Sequence, residues 1–263
     1  MSLVRAVTIV SALLGLAVGS FVNVVIWRVP RKESLVRPRS HCPACASGIR
    51  PRDEVPVLSW ILLRGRCRDC STRISARYPL VELLTAAVFV ALALRLRDQP
   101  ASIPAFWWLG GVGIALALID FDTRKLPDVL TLPSYAVGAV GLALAALAGP
   151  GHTPLIRALL GCAALYAFYF ALAFAYPAGM GFGDVKLAGV LGLYLGWLGW
   201  SSVIVGAFAG FLLGGVVSIA LVLAGRAGRK SAIPFGPFML AGTLIGILAG
   251  QPIADGYLHL TLG

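Results

Sequence analysis

Eight nearly unbroken apolar runs divide this chain, at about residues 3–27, 79–96, 103–121, 129–148, 155–176, 187–200, 201–225 and 233–250. Polar residues collect between them, and the sixth and seventh runs abut at Trp200-Ser201. A run of about 20 apolar residues suffices to cross a bilayer as one helix. The pattern therefore predicts an all-α polytopic membrane protein, a bundle of about eight transmembrane helices. The first run is too long for a cleaved signal peptide and leads into a basic segment rather than a small-residue cleavage site, so it reads as a spanning helix. Residues 28–78 form the one hydrophilic segment of any size.

Composition agrees: 59% of residues are hydrophobic and 13% charged, with a mean hydropathy of +0.88, values that exclude a soluble globular domain. The 31 glycines suit close helix crossings in lipid. The formal charge of +11 is mostly a topology signal. With both ends outside, the inner segments 28–78, 122–128, 177–186 and 226–230 carry 18 of the 22 Lys and Arg residues, and only Arg5, Arg95, Arg97 and Arg157 remain on the other side. Cytoplasmic loops hold such an excess, which predicts a cell inner membrane protein whose 28–78 segment faces the cytoplasm. Anionic lipid is an expected contact. Nucleic acid is not an expected partner, because the basic residues hug the membrane and accompany no stacking platform or nucleic-acid-binding fold signature.

The 28–78 segment holds Cys42-Pro43-Ala44-Cys45 and Cys67-Arg68-Asp69-Cys70, two C-x-x-C pairs with 21 residues between them. That spacing suits two knuckles closing on one tetrahedral zinc through four thiolates, and a metal would substitute for the core that so short a segment lacks. Two disulfides or four unrelated thiols are the alternatives, the disulfides at odds with a reducing compartment. Four sulfur ligands leave no position for water, so a zinc here would be structural. Cys162, alone in an apolar run, reads as a packing residue.

Two acids sit against apolar runs. Asp120 directly follows Ala115-Leu116-Ala117-Leu118-Ile119, and Asp184 closes Gly181-Phe182-Gly183-Asp184 just before another run. A charged side chain in the bilayer costs about 2.5–3.5 kcal/mol on insertion scales, so such acids are used or paired. Asp122 reads as a solvated loop charge beside Arg124 and Lys125, and Asp128, after Pro127, as the cap of the next helix. Gly179, Gly181 and Gly183 let the backbone before Asp184 approach a substrate strand closely, and Lys186 stands ready to stabilise a carboxylate or cap backbone. The Pro-rich stretch Ile233–Phe238 is expected to form a wall near the acids. Two facing carboxylates cannot both ionise easily and so share a proton. One then activates water while the other polarises a peptide carbonyl, the chemistry of an aspartic protease.

The ordered blocks resemble the prepilin peptidases, the type IV prepilin leader peptidase and N-methyltransferase family of the G-x-G-D aspartic proteases. The resemblance runs through Gly19–Pro30, Cys42–Cys45, Val57–Trp60, Leu63–Cys70, Ile74–Glu82, Asp120 with Leu126-Pro127-Asp128, Gly179–Lys186 and Pro234–Phe238. It implies an enzyme that removes the leader from type IV prepilins or type II secretion pseudopilins at the cytoplasmic membrane face. It further implies N-methylation of the new terminus from S-adenosylmethionine. By resemblance, Asp120 and Asp184 are the catalytic pair, Gly181, Gly183 and Lys186 belong to the substrate loop, and Cys42, Cys45, Cys67 and Cys70 bind zinc. The expected plan is a first transmembrane helix (1–27), a four-cysteine zinc-binding domain (28–78) and a seven-helix membrane domain with the protease site (79–263). Arg77 and Glu82 are where the methyl-transfer half would first be sought. Two other classes stay open: a membrane prenyl or phosphosugar transferase holding Mg²⁺ on Asp120, Asp122 and Asp128, and a non-enzymatic assembly subunit of a secretion machine.

Overall fold

A computed structural model describes residues 3–149, 151–177, 179–226 and 233–262. Arg229 and Lys230, counted above in the last basic segment, lie outside that set. Among the described residues the structure is helical, with no strand beyond two isolated bridges.

Each of the eight apolar runs contains a long helix: α1 (Leu3–Arg28), α3 (Arg77–Arg95), α4 (Ile103–Thr123), α5 (Asp128–Ala148), α6 (Thr153–Ala175), α7 (Phe182–Leu198), α8 (Trp200–Leu223) and α9 (Gly236–Leu262), with a short α2 (Leu58–Leu62) between the first two. Seven are long and apolar enough to cross a membrane. The other is α7, which at 17 residues falls short of that length. It is apolar on every side because it is enclosed, buried at Val185 and from Leu187 to Trp197, and packed against α5, α6, α8 and α9. The abutting sixth and seventh runs separate at Gly199, whose φ of 153° and ψ of 165° belong to a region only glycine occupies readily. The last helix runs twelve residues beyond the expected end at residue 250, through Pro252, where Gln251 Nε2 donates to Asp255 Oδ1 at 2.8 Å one turn on.

The chain forms two compact units, Met1–Leu94 with Gly110–Ala115, and Arg95–Leu109 with Leu116–Gly263. In the first, glycines let α1 lie against α3: a Cβ at Gly15 would come 2.5 Å from Ala86 Cα, and one at Gly19 2.7 Å from Glu82 Cα. Asn23, polar inside α1, donates to the backbone oxygens of Gly19 and Tyr78 at 3.3 and 3.1 Å, the hydrogen-bonded use of a polar group in lipid. Arg28 closes α1 and turns its guanidinium onto the oxygens of Ser34 and Pro38, at 2.7 and 2.6 Å.

In the second unit, α6 crosses α7 with Gly161 so close that a Cβ there would come 2.6 Å from Gly192 O. Arg157, near the start of α6, donates from Nε to Gly196 O and from Nη2 to Trp197 O, both at 2.7 Å. It thereby covers the last turn of α7, where free carbonyls favour a cation. Arg95 likewise donates to Ile247 O at 3.0 Å. Two of the four basic residues that stood apart from the positive segments thus serve backbone carbonyls.

Candidate functional site

The α4 helix ends when Arg124 takes a left-handed conformation, φ 54°, and bonds back to Asp120 O at 2.7 Å. Pro127 then starts α5, its carbonyl accepting the N–H groups of Leu130 and Thr131. This places Asp120 in the last turn of α4, only 5% exposed. Its Oδ2 accepts the N–H of Gly236, the first residue of α9, at 3.0 Å. Asp184 occupies the first turn of α7, with Oδ2 accepting the N–H of Gly181 at 3.1 Å, an acid on free N–H groups at the positive end of a helix. The two carboxylates lie near enough for the charge of Asp120 to act on Asp184. In both, Oδ2 is held by a glycine N–H, and Oδ1 has no hydrogen-bond partner among the described residues.

Close approach crowds a side chain at two of these positions, most at Gly236. A Cβ on Gly183 would come 3.2 Å from Leu126 Cβ, and one on Gly236 2.7 Å from Asp120 Oδ2 and 3.2 Å from Leu126 Cδ2. Leu126 is the shared neighbour that brings the α4–α5 loop, the start of α7 and the start of α9 together. Gly181 is extended (φ −78°) and contributes its N–H rather than an unusual dihedral. Behind the acids, the buried ring of Tyr169 stacks on Phe211 at 5.4 Å and lies 6.3 Å from Phe235, near enough to feel the charge of Asp184.

Asp128 does not cap α5. Pro127 is the N-cap residue and α5 has no side-chain cap. Instead Lys186 Nζ donates to both oxygens of Asp128 at 2.8 Å, while Tyr135 Oη donates to Lys186 O at 2.6 Å. The Asp128 carboxylate thus meets an ammonium from the start of α7 in a charge-assisted pair rather than the N–H groups of its own helix. Lys186 is thus engaged with an acid other than Asp120 or Asp184. Gly236 and Tyr135 carried no separate signal in the sequence; a glycine between prolines and aromatics at a helix start was the nearest hint of the first.

In the first unit the two C-x-x-C pairs fold alike. Cys42 N–H reaches Ser47 O and Ala46 N–H returns to Cys42 O, with Ala46 at φ 58°. Cys67, Thr72 and Ser71 repeat the arrangement, again with φ 58°. The four Sγ atoms lie within 4.8 Å of one another and all are free thiols, so the disulfide alternative does not hold. Cys42 Sγ and Cys70 Sγ are 3.7 Å apart, close to the edge of about 3.8 Å of a tetrahedron with metal–sulfur bonds of about 2.3 Å. The cluster can bind a metal. Thr72, whose Oγ1 lies 3.3 Å from Cys70 Sγ and whose backbone N–H faces it, pushes that thiol down to about 6, toward the thiolate a metal requires. Around the knuckles, Arg68 pairs bidentately with Asp53 at 2.8 and 2.5 Å, holding its carboxyl below the usual range, and Arg50 pairs with Asp69 at 3.1 Å.

Fold and site define a polytopic helical membrane protein with an acid pair at helix ends and a four-thiol cluster. Comparison with known proteins carries this to a family. Residues 13–96 match the bacterial peptidase A24 N-terminal domain, and residues 105–219 match the type IV leader peptidase family. The prepilin leader peptidase/N-methyltransferase of Aeromonas salmonicida (strain A449) is 37% identical over 280 residues, covering 95% of this chain and 93% of that protein. Its counterpart in Bacillus subtilis (strain 168) is 32% identical over 252 residues, covering 95% and 97%. That of Neisseria gonorrhoeae is 38% identical over 265 residues, covering 86% and 85%. No solved structure matches this chain. The chain belongs to the type IV leader peptidase family and is an enzyme of that family.

Proposed function

We propose that Asp120 and Asp184 form a proton-sharing couple that hydrolyses the leader junction of type IV prepilins or type II secretion pseudopilins. The observation that carries this reading is the symmetry of the pair: both carboxylates have Oδ2 fixed by a glycine N–H, and the charge of Asp120 acts on Asp184. The ionised member removes a proton from water as the oxygen attacks the scissile carbonyl carbon, and the protonated member donates to the carbonyl oxygen. As the C–N bond breaks, the proton taken from water passes to the leaving amine, and a hydroxyl of the gem-diol returns its proton to the carboxylate that had protonated the carbonyl oxygen, which restores the pair to its starting state. Positioning by backbone N–H groups makes the geometry independent of flexible side chains.

We assign this chemistry to the cytoplasmic face of the inner membrane, a reading supported by the excess of Lys and Arg in the segments on that side. The relatives' shared name joins leader peptidase to N-methyltransferase, and we assign the same pairing here, with S-adenosylmethionine as methyl donor. Zinc fits Cys42, Cys45, Cys67 and Cys70 by donor type and spacing, and its role is to hold the two knuckles together. The Mg²⁺-dependent transferase is disfavoured because Asp128 is engaged by Lys186, and the four cysteines are the one group of three or more metal-capable side chains among the described residues.

The test is to incubate purified protein in lipid with a prepilin and a labelled methyl donor. The expected result is a shortened pilin carrying label at its new terminus, with both events lost for D184N. An intact prepilin with the unaltered enzyme would refute the assignment.

A further inference from the structure

Glu82 ties the four-cysteine segment to the membrane helices of its own unit. It stands five residues beyond Arg77, the first residue of α3, a distance of about 7.5 Å along the axis at 1.5 Å per residue. Its buried Oε2 accepts the N–H of Val57 at 2.7 Å. Val57 has φ 60° and ψ −51°, a conformation that a β-branched residue resists and that needs to be held in place. The next residue begins α2. There Ser59 turns inward to Arg52 O and Trp60 Nε1 donates to Ile74 O, at 3.1 and 3.2 Å. Leu58, Ile61 and Leu62 point the other way, 52%, 58% and 71% exposed.

Three large apolar side chains are thus presented outward by an element pinned beside the first turns of a helix fit to cross a membrane. Arg52, Arg64 and Arg66 lie within six residues of α2 in the sequence and are exposed. Asp53 and Asp69 are taken up by Arg68 and Arg50. An exposed apolar face with exposed arginines before and after it in the chain suits the boundary between headgroups and acyl chains. Basic groups near an anionic surface strengthen such binding.

We propose that α2 is an interfacial anchor. Leu58, Ile61 and Leu62 enter the surface layer of an anionic bilayer, Arg52, Arg64 and Arg66 meet its phosphates, and the four-cysteine module is held at the membrane surface.

The test uses the full chain in nanodiscs of phosphatidylcholine and phosphatidylglycerol, with benzoylphenylalanine placed at Leu62 or, as a lipid-exposed reference, at Leu14 in α1. Illumination is expected to add the mass of one lipid at both positions. Nanodiscs of phosphatidylcholine alone should lower the yield at 62 and leave that at 14 unchanged. A lipid adduct at 14 with only protein adducts at 62, from the same or a second copy, or with none, overturns the proposal. In a second measurement, Leu62→Glu should let trypsin cut after Arg64 several-fold faster in the anionic nanodiscs; equal rates would also overturn it.

Discussion

Gly236→Ala separates the role of the backbone from that of the acids. The added methyl would come 2.7 Å from Asp120 Oδ2 and 3.2 Å from Leu126 Cδ2. The first contact is too close to persist, and the short, buried Asp120 side chain has little freedom to escape except by giving up the Gly236 N–H at 3.0 Å. A hydrogen bond to a charged group contributes about 1.5–3 kcal/mol. If that bond holds the carboxylate in its reacting geometry, its loss lowers kcat by about 10- to 150-fold, at 1.36 kcal/mol per factor of ten. Leader cleavage followed by gel under saturating and limiting prepilin gives kcat and KM separately, and thermal unfolding of the same preparation reports the fold. The nearest contacts of the added methyl are side-chain atoms of Asp120 and Leu126 rather than backbone, so little unfolding should accompany the loss of rate. A variant with wild-type kcat, or one whose lost rate matches its lost folded fraction, refutes the reasoning.

The other expectations concern the surrounding contacts. Lys186→Met should slow cleavage modestly, because the pair with Asp128 is partly exposed and such pairs contribute about 0.2–1 kcal/mol; the swap Asp128→Lys with Lys186→Asp should recover part of the rate, and no recovery would argue against a positioning role. Cys67→Ser should abolish binding of one zinc per chain, measured by metal analysis, and speed proteolysis within residues 28–78; full zinc content would sink the four-thiolate site. Arg157→Met strands the carbonyls of Gly196 and Trp197 and should cost about 1–3 kcal/mol of stability, read as a lower Tm with cleavage kinetics unchanged at low temperature; an unaltered Tm would show that water replaces the guanidinium.

The helices were legible because lipid imposes a length and a composition that a sequence displays directly, and the acids because charge beside long apolar runs is costly. The four-cysteine cluster was legible from spacing alone. What stayed hidden depends on backbone groups and on contacts distant in sequence. The N–H of Gly236 meets Asp120 across 116 positions, and Lys186 finds Asp128 across 58. Asp128 followed a proline at a helix start and so matched a local cap, but Pro127 takes the N-cap position and the carboxylate faces an ammonium 58 residues away. The end of α7 was obscured because Gly199 breaks the helix inside continuous apolar sequence, and the full reach of α9 because Pro252 signals a stop that one turn of helix absorbs.

The central claim is that Asp120 and Asp184 act as one unit on one water. Single-turnover cleavage of a prepilin by D120N, D184N and the double variant tests it most directly. Residues that act together are non-additive, so either single change should remove cleavage and the double variant should be no slower than the worse of the two. Retained cleavage in either single variant, or a double variant slowed by the product of two partial losses, would contradict the account.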